Sequence, residues 1–364
     1  MPAPPVILVA PAAFKGTLGP RQVAEALATG VRRAVPSATV LECPVADGGN
    51  GLLDVVLPAG SLRERLQVTG PIGDSVSAEI GWIDGETAII ESASACGLAL
   101  VEPEDRDPMR TTTRGVGELI WTAADRGART IVVGLGGTAT VDGGTGAARG
   151  FGWTFENAAG AQLPDGGGSL TDLASFGSGW GLAARVVALA DVATPLLGPD
   201  GAAPVFGPQK GARPEEIPQL AAGLALLAEL WAQAGRPELA TMPMGGAAGG
   251  LGAGLAFFAK AELTGGAAWV LERAGFDAAL AKADLVITAE GIFDKTSLVG
   301  KAPGEVVRRA QVAKKKVAVV AARVEGLIGV HAVAGDGDGG GGRMLDASAL
   351  AQMAEQVARE ALRL

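Results

Sequence analysis

Ile131-Val132-Val133-Gly134-Leu135-Gly136-Gly137-Thr138-Ala139-Thr140-Val141-Asp142-Gly143-Gly144 is an apolar run that breaks at once into a glycine loop carrying an aspartate. Residues 131–135 show no polar alternation, so they read as a strand buried on both faces. The glycines after it let the backbone approach an anion closely and turn its N–H groups toward oxygen. The same order recurs along the chain. Residues 6–10 are a strand followed by a loop with Phe14 and Lys15, and residues 39–45 run into Asp47-Gly48-Gly49-Asn50-Gly51. Residues 186–190 end on Asp191, and residues 285–288 lead into Glu290-Gly291-Ile292-Phe293-Asp294. A further patch, Phe206-Gly207-Pro208-Gln209-Lys210-Gly211, places an amine in an enforced turn.

Helical periodicity fills the intervals. Pro20 opens a helix with Val23, Ala26, Leu27 and Val31 on one face, since proline is tolerated in the first turn. Residues 113–125, 214–234 and 347–362 repeat the pattern, and another apolar helix begins near Leu251. Residues 62–68, 76–83 and 87–91 read as a meander, and 317–321 as the last buried strand. Apolar strands alternating with helices predict an α/β fold built on mainly parallel sheet. Ligands of such sheets bind at the carboxyl ends of strands, where the aspartate–glycine patches fall.

Composition narrows the chemistry. The chain has 364 residues, a length suited to about two domains. Its net charge of −9 argues against nucleic-acid or anionic-membrane partners. Two cysteines, Cys43 and Cys96, form no CxxC pair, so neither a disulfide framework nor structural zinc is expected. No signal segment or membrane-length apolar run of ~18 residues stands out, and a cytoplasmic protein is expected. One histidine, His331, and no tyrosine make Ser–His–Asp or His-metal chemistry a poor fit. Carboxylates, lysines and backbone amides remain, a set suited to phosphoryl transfer. No GxxxxGK[ST] motif occurs, and the glycines of 334–342 read as a flexible loop rather than a dinucleotide fingerprint.

Single residues keep two readings at this level. Asp47 beside two glycines is a turn-former or a metal-holding carboxylate. Lys15 and Lys210 are loop lysines or fixed phosphate partners. Arg114, with Arg110 across three threonines, marks either an anion-binding helix start or a plain N-cap.

Taken together, the stretches Ala10–Lys15, Pro44–Gly51, Thr113–Ile120, Gly134–Gly144, Asp191-Val192, Val205–Ala212, Gly246–Gly254, Ala283–Gly291 and Gly300–Pro303 resemble the bacterial glycerate kinase family that lacks a Walker motif, the glycerate 2-kinase type. The FGPQKGA-type and GGTAT-x-DGG-type stretches are the most specific. The resemblance implies a discontinuous flavodoxin-like domain (residues 1–70 and 282–364), a second α/β domain inserted at 71–281, and an active site in the cleft between them. It implies phosphorylation of D-glycerate by ATP with Mg2+, giving 2-phosphoglycerate and ADP. Alternatives are 3-phosphoglycerate as product, or a nucleotide- or phosphate-binding protein of the same fold; a homodimer is left open. By the same resemblance Asp191, Lys15 and Lys210 are catalytic. Asp47, Gly48, Gly49, Arg114, Gly136, Gly137, Thr138, Asp142, Gly207, Gln209 and Lys301 bind substrate or nucleotide, and Asp47, Glu290 and Asp294 hold the metal.

Overall fold

The computed structural model describes residues 3–14, 17–49, 51–295, 297–298, 300–325, 330–335 and 345–362. Lys15 and Asn50 lie outside the described residues, as does 336–342 of the glycine-rich segment. The chain divides into two compact units. One comprises residues 1–47, 54–56 and 265–364, and the other residues 48–53 and 57–264.

In the first unit, strands β1 (Val6–Val9), β2 (Thr39–Glu42), β11 (Leu285–Phe293), β12 (Lys316–Val324) and β13 (His331–Ala334), numbered along the chain, form one sheet. Every pairing is parallel and the spatial order is β2-β1-β11-β12-β13. Counting this unit's strands alone, that is the 2-1-3-4-5 order of flavodoxin-like sheets. Successive residues of each strand point to opposite faces, and both faces are covered. Ile7, Val9, Leu285 and Ile287 pack with helices α1 (Pro20–Ala34) and α12 (Ala347–Leu362). Leu8 and Val286 pack instead with α9 (Gly266–Arg273), α10 (Phe276–Lys282) and α11 (Ala302–Val312). The α1–α12 crossing is close because Gly30 has no side chain: a β-carbon there would stand 1.9 Å from the Ala351 carbonyl oxygen.

One strand expectation needs correction here. The strand expected at 285–288 runs on to Phe293, so Glu290 lies inside it and not in a loop beyond its end. Gly291 reads as a breaker in isolation, but the parallel neighbour β12 stays paired as far as Phe293 opposite Val324. The strand read at 317–321 spans Lys316–Val324 and is the last buried one, and β13 adds a short, mostly exposed edge beside it. His331 opens β13, with Nε2 3.0 Å from a Glu360 carboxylate oxygen, a structural contact at the sheet edge.

The second unit holds β3 (Arg63–Thr69), β4 (Ser75–Trp82), β5 (Thr87–Glu91), β6 (Thr130–Gly134), β9 (Arg185–Leu189) and β10 (Glu262–Thr264) in the order β10-β9-β6-β5-β4-β3. The meander β3–β4–β5 is antiparallel, and β5, β6, β9 and β10 run parallel. A ribbon of β7 (Phe155–Glu156) and β8 (Ser175–Phe176) stands apart. The helices are α3 (Ser92–Cys96), α4 (Arg114–Asp125), α5 (Thr145–Gly150), α6 (Ala202–Phe206), α7 (Ile217–Gln233) and α8 (Leu251–Phe258), with α2 (Leu52–Val56) straddling the division of the chain.

One continuous core joins Ile80, Ile90, Leu119, Ile131, Val133, Leu224 and Leu251. Aromatic rings close its far side, where Trp231 stacks on Phe257 at 5.5 Å and Trp153 meets Phe258 edge-on at 5.0 Å. Such pairs contribute about 0.5–1.5 kcal/mol beyond their buried area. Helices α4 and α5 touch through glycine: a β-carbon on Gly117 would lie 1.8 Å from the Ala147 carbonyl oxygen. That contact brings the start of each helix beside the loop after β6. Among the described residues no helix is long and apolar enough to cross a membrane.

Candidate active site

The carboxyl ends of β6 and β9 carry the glycine loop and Asp191. Gly48 and Gly49 lie directly against them. A β-carbon on Gly134 would meet the Gly48 carbonyl oxygen at 2.1 Å, and one on Gly136 would meet the Gly49 α-carbon at 2.5 Å. Gly48 also has φ of +80° and stands over Leu189, the last residue of β9. Only glycine allows both that conformation and that approach. The structure thus brings together Gly48, Gly49, Gly136 and Gly137, with partly buried Asp191 two residues beyond Leu189.

Loop 136–144 is held by many internal bonds. Gly136 N–H leans on the Gly48 carbonyl at 3.4 Å, and Ala139 N–H donates to the Cys96 carbonyl at 2.8 Å. The Gly137 carbonyl accepts from Leu98 N–H at 2.8 Å, and the Ala139 carbonyl from Thr111 Oγ1 at 2.9 Å. Gly249 backs the loop so closely that a β-carbon there would stand 1.9 Å from the Thr140 carbonyl oxygen.

Two buried ionisable side chains hold this loop, Lys210 from outside it and Asp142 from within. Lys210, 3% exposed, donates from Nζ to Thr138 Oγ1 at 3.0 Å and to the Thr140 carbonyl at 2.7 Å. Burial lowers its pKa to about 8, with Cys96 and Asp142 pulling the other way. Asp142 is fully buried. Its carboxylate accepts from Thr113 N–H (2.9 Å), Thr113 Oγ1 (2.8 Å), Gly144 N–H (3.0 Å) and Gly146 N–H (3.2 Å). Burial raises its pKa, and the bonds from Thr113 and Gly144 work against that. Burial likewise pushes the Cys96 thiol well above its ordinary range, so it is an inert thiol rather than a nucleophile.

Arg114 begins α4, but its guanidinium is committed to Asp165 through two hydrogen bonds, at 2.9 and 3.0 Å. Arg149 adds an ion pair to the same carboxylate at 3.2 Å. Burial raises the Asp165 pKa, but the Arg114 bonds and the two guanidinium charges outweigh it and hold the carboxyl below its ordinary range. Thr113 does not cap α4 with its side chain; its hydroxyl serves Asp142 and accepts from Ala147 N–H at 2.8 Å. A concavity of about 750 Å³ beside this network is lined by Asp105, Asp107, Asp165 and Asp172 against a single Arg110. That excess of negative charge disfavours a phosphate.

Gly207 is helical and buried, its N–H bonded to the Ala203 carbonyl at 2.9 Å, whereas Gln209 is exposed. Asp165, Arg149, Thr113 and Cys96 were not legible as site-building residues. Pro164-Asp165-Gly166 reads as a plain turn, and nothing local marks its two guanidinium partners.

In the flavodoxin-like unit, the chain after β1 stays bonded to β11, with Ala12 N–H donating to the Ala289 carbonyl at 2.9 Å. Glu290 follows at the point where strand order reverses, the usual ligand crevice of such sheets. One of its carboxylate oxygens is 3.3 Å from Lys301 Nζ, and the other, Oε2, is buried without a hydrogen-bond partner. Lys301 occupies the N-cap position of α11. Asp294 accepts from Ser297 N–H at 2.9 Å, and Asp47 is partly buried after β2. Among the described residues no three His, Cys, Asp or Glu side chains gather as a metal cage. Magnesium in phosphoryl-transfer sites commonly takes one or two carboxylates plus phosphate and water. The orphan oxygen of Glu290 fits that mode of binding.

Comparison with known proteins agrees with this architecture. The model of the glycerate kinase family matches residues 7–336. The chain is 42% identical over 316 residues to a protein of Escherichia coli (strain K12) named glycerate 2-kinase, covering 85% of this chain and 82% of the other. It is 41% identical over 312 residues to a Bacillus subtilis (strain 168) protein named glycerate kinase, covering 84% and 81%. The crystal structure of a glycerate kinase 2 candidate from Salmonella typhimurium LT2 superposes with a TM-score of 0.83 at 36% identity, covering 99% of both chains. The chain belongs to the glycerate kinase family.

Proposed function

We propose that the protein transfers the terminal phosphoryl group of ATP to a hydroxyl of D-glycerate, giving ADP and 2-phosphoglycerate. The observation that carries this reading is the 42% identity, across 85% of the chain, to the E. coli protein named glycerate 2-kinase. The residue chemistry supports it. Phosphoryl transfer needs positioning and charge neutralisation more than a covalent nucleophile, and the strand ends here offer carboxylates, amides and lysines.

Asp191, at the end of β9, is assigned to orient the glycerate hydroxyl and accept its proton as the bond to phosphorus forms. Lys15 is assigned to the charge on the transferring oxygens or the glycerate carboxylate. Gly48, Gly49, Gly136, Gly137 and Thr138 present backbone to an anion, and Lys301 and Gln209 complete the binding set. Asp142, Arg114 and Gly207 are assigned supporting roles, since each is already spent on its own domain. Glu290, with Asp47 and Asp294, would hold Mg2+ or its waters. The ion, when bound, neutralises charge on the phosphate oxygens.

The test is ADP release from Mg-ATP on adding D-glycerate, with the product identified by phosphorus NMR. A phosphomonoester on carbon 2 is expected. An ester on carbon 3 would correct the regiochemistry, and absence of glycerate-dependent ADP would overturn the kinase reading. Asp191→Ala is expected to lose ~10²- to 10⁴-fold in kcat; wild-type turnover in that variant would remove its assignment.

A further inference from the structure

Lys210 reaches loop 136–144 from beneath. It ends the short turn Pro208–Lys210 that follows α6, with Gly211 at φ +97° reversing the chain behind it. Its ammonium donates to a side chain and a carbonyl of the loop at 3.0 and 2.7 Å and lies 5.7 Å from the centre of the Phe206 ring. With 3% exposure, the amine is directed into its own domain. Turning it toward a phosphate would abandon two bonds of the charged kind, each ~1.5–3 kcal/mol, and leave the Thr140 carbonyl without this donor.

The other side of the loop is held in mirror fashion, since Asp142 takes four donors from Thr113, Gly144 and Gly146. The buried Lys210 amine thus grips residues 138 and 140, and the buried Asp142 side chain ties the loop to the starts of α4 and α5. A loop with this much glycine is intrinsically loose, so its shape depends on such grips.

We infer that Lys210 is a positioning residue: acting through Thr138 and the Thr140 carbonyl, it holds loop 136–144 in its anion-binding shape and does not itself meet the transferred phosphoryl group. The activity measurements below rest on the kinase reading, but the exchange measurement does not.

The experiment is a double-mutant cycle of Lys210→Met and Thr138→Val, read by kcat and by amide hydrogen exchange of residues 136–144. Misplacing a binding loop by ~1 Å costs on the order of 10²-fold, so each single variant is expected to lose roughly that in kcat. The double variant is expected to be no worse than the poorer single within about threefold, because both remove one grip. Exchange in 136–144 rises in Lys210→Met while α7 stays protected as in wild type.

Multiplying losses in the double variant would overturn the inference. So would wild-type kcat in Lys210→Met, wild-type kcat in Thr138→Val beside a damaged Lys210→Met, or unchanged loop exchange. Should Lys210→Met fail to fold, Thr138→Ser is compared with Thr138→Val. The serine is expected to recover at least ~tenfold of the lost kcat together with loop protection, and equal damage in both refutes the role. If wild type itself releases no ADP with glycerate, the kinase reading fails and loop exchange alone decides on Lys210.

Discussion

A β-carbon on Gly136 would stand 2.5 Å from the α-carbon of Gly49, so two glycine patches 87 positions apart in the sequence are pressed backbone to backbone. Gly136→Ala must push them apart. We expect a stability loss of about 1–3 kcal/mol, the usual cost of overpacking, with glycerate-dependent ADP release falling more steeply than that loss explains. Urea titration beside a kinetic assay measures both, and a variant with wild-type stability and turnover would contradict the packing described.

Asp142→Ala removes the acceptor for the N–H groups of Thr113, Gly144 and Gly146 inside a closed core. A buried donor left unsatisfied costs about 1–3 kcal/mol. We therefore expect at least ~3 kcal/mol of destabilisation for the set, with a smaller loss in Asp142→Asn, which keeps one carbonyl oxygen. Chemical denaturation of the two variants makes the comparison.

The Lys210 amine is lowered by burial from 10.5 to about 8. Below pH 8 the folded and unfolded chains both hold the proton, so this group adds no pH dependence. Between about 8 and 10.5 the unfolded chain binds the proton and the folded chain does not, so stability rises with pH. Relative to Lys210→Met, wild type should gain on the order of 3 kcal/mol across that window, read from urea midpoints at pH 7.5 and 10. A flat difference would mean the amine keeps its ordinary affinity for protons.

Asp165 works in the opposite sense. Its depressed pKa stabilises the fold at pH above the ordinary value of 3.8 and loses that contribution as pH falls through the lower folded value. Asp165→Asn should cost about 1–3 kcal/mol at pH 7, with the gap to wild type closing in the acid limb of a denaturation series. A gap that persists unchanged at low pH would trace the loss to packing, not to the ion pairs with Arg114 and Arg149.

Glu290 offers a test of the metal assignment. Its Oε2 is buried without a partner, so Glu290→Gln should leave the fold intact and raise the Mg2+ concentration needed for half-maximal activity. Chelation should abolish ADP release, and added Mg2+ should restore it. Isothermal titration of Mg2+ with a nonhydrolysable ATP analogue reads the same change without turnover.

Most of the scaffold was legible because it is written in local pattern. The apolar runs at 6–10, 131–135 and 186–190 have strand length and no alternation, and the apolar spacing from Leu220 to Trp231 can only be a buried helix face. Where local chemistry and sheet context disagreed, context won. Gly291 looks like the end of a strand, yet hydrogen bonds from β12 carry β11 past it. β13 is too short and too exposed to announce itself, and exists because β12 offers it an edge.

Residue order and composition alone mark the chain as an α/β protein with glycine–carboxylate patches near its strand ends and a poor fit to histidine-based chemistry. Which of those residues are taken up by partners within the fold emerges from the three-dimensional packing. Lys210, Asp142 and Arg114 share a residue type with phosphate or metal ligands, but a side chain's partner depends on what the fold sets opposite it. Thr138 and Thr140 lie opposite Lys210, Thr113 opposite Asp142 and Asp165 opposite Arg114, separated by 72, 70, 29 and 51 positions in the chain. Burial makes such pairings strong and mandatory, since an unpaired charge in a dry interior is too costly to keep, and no local pattern encodes that opposition.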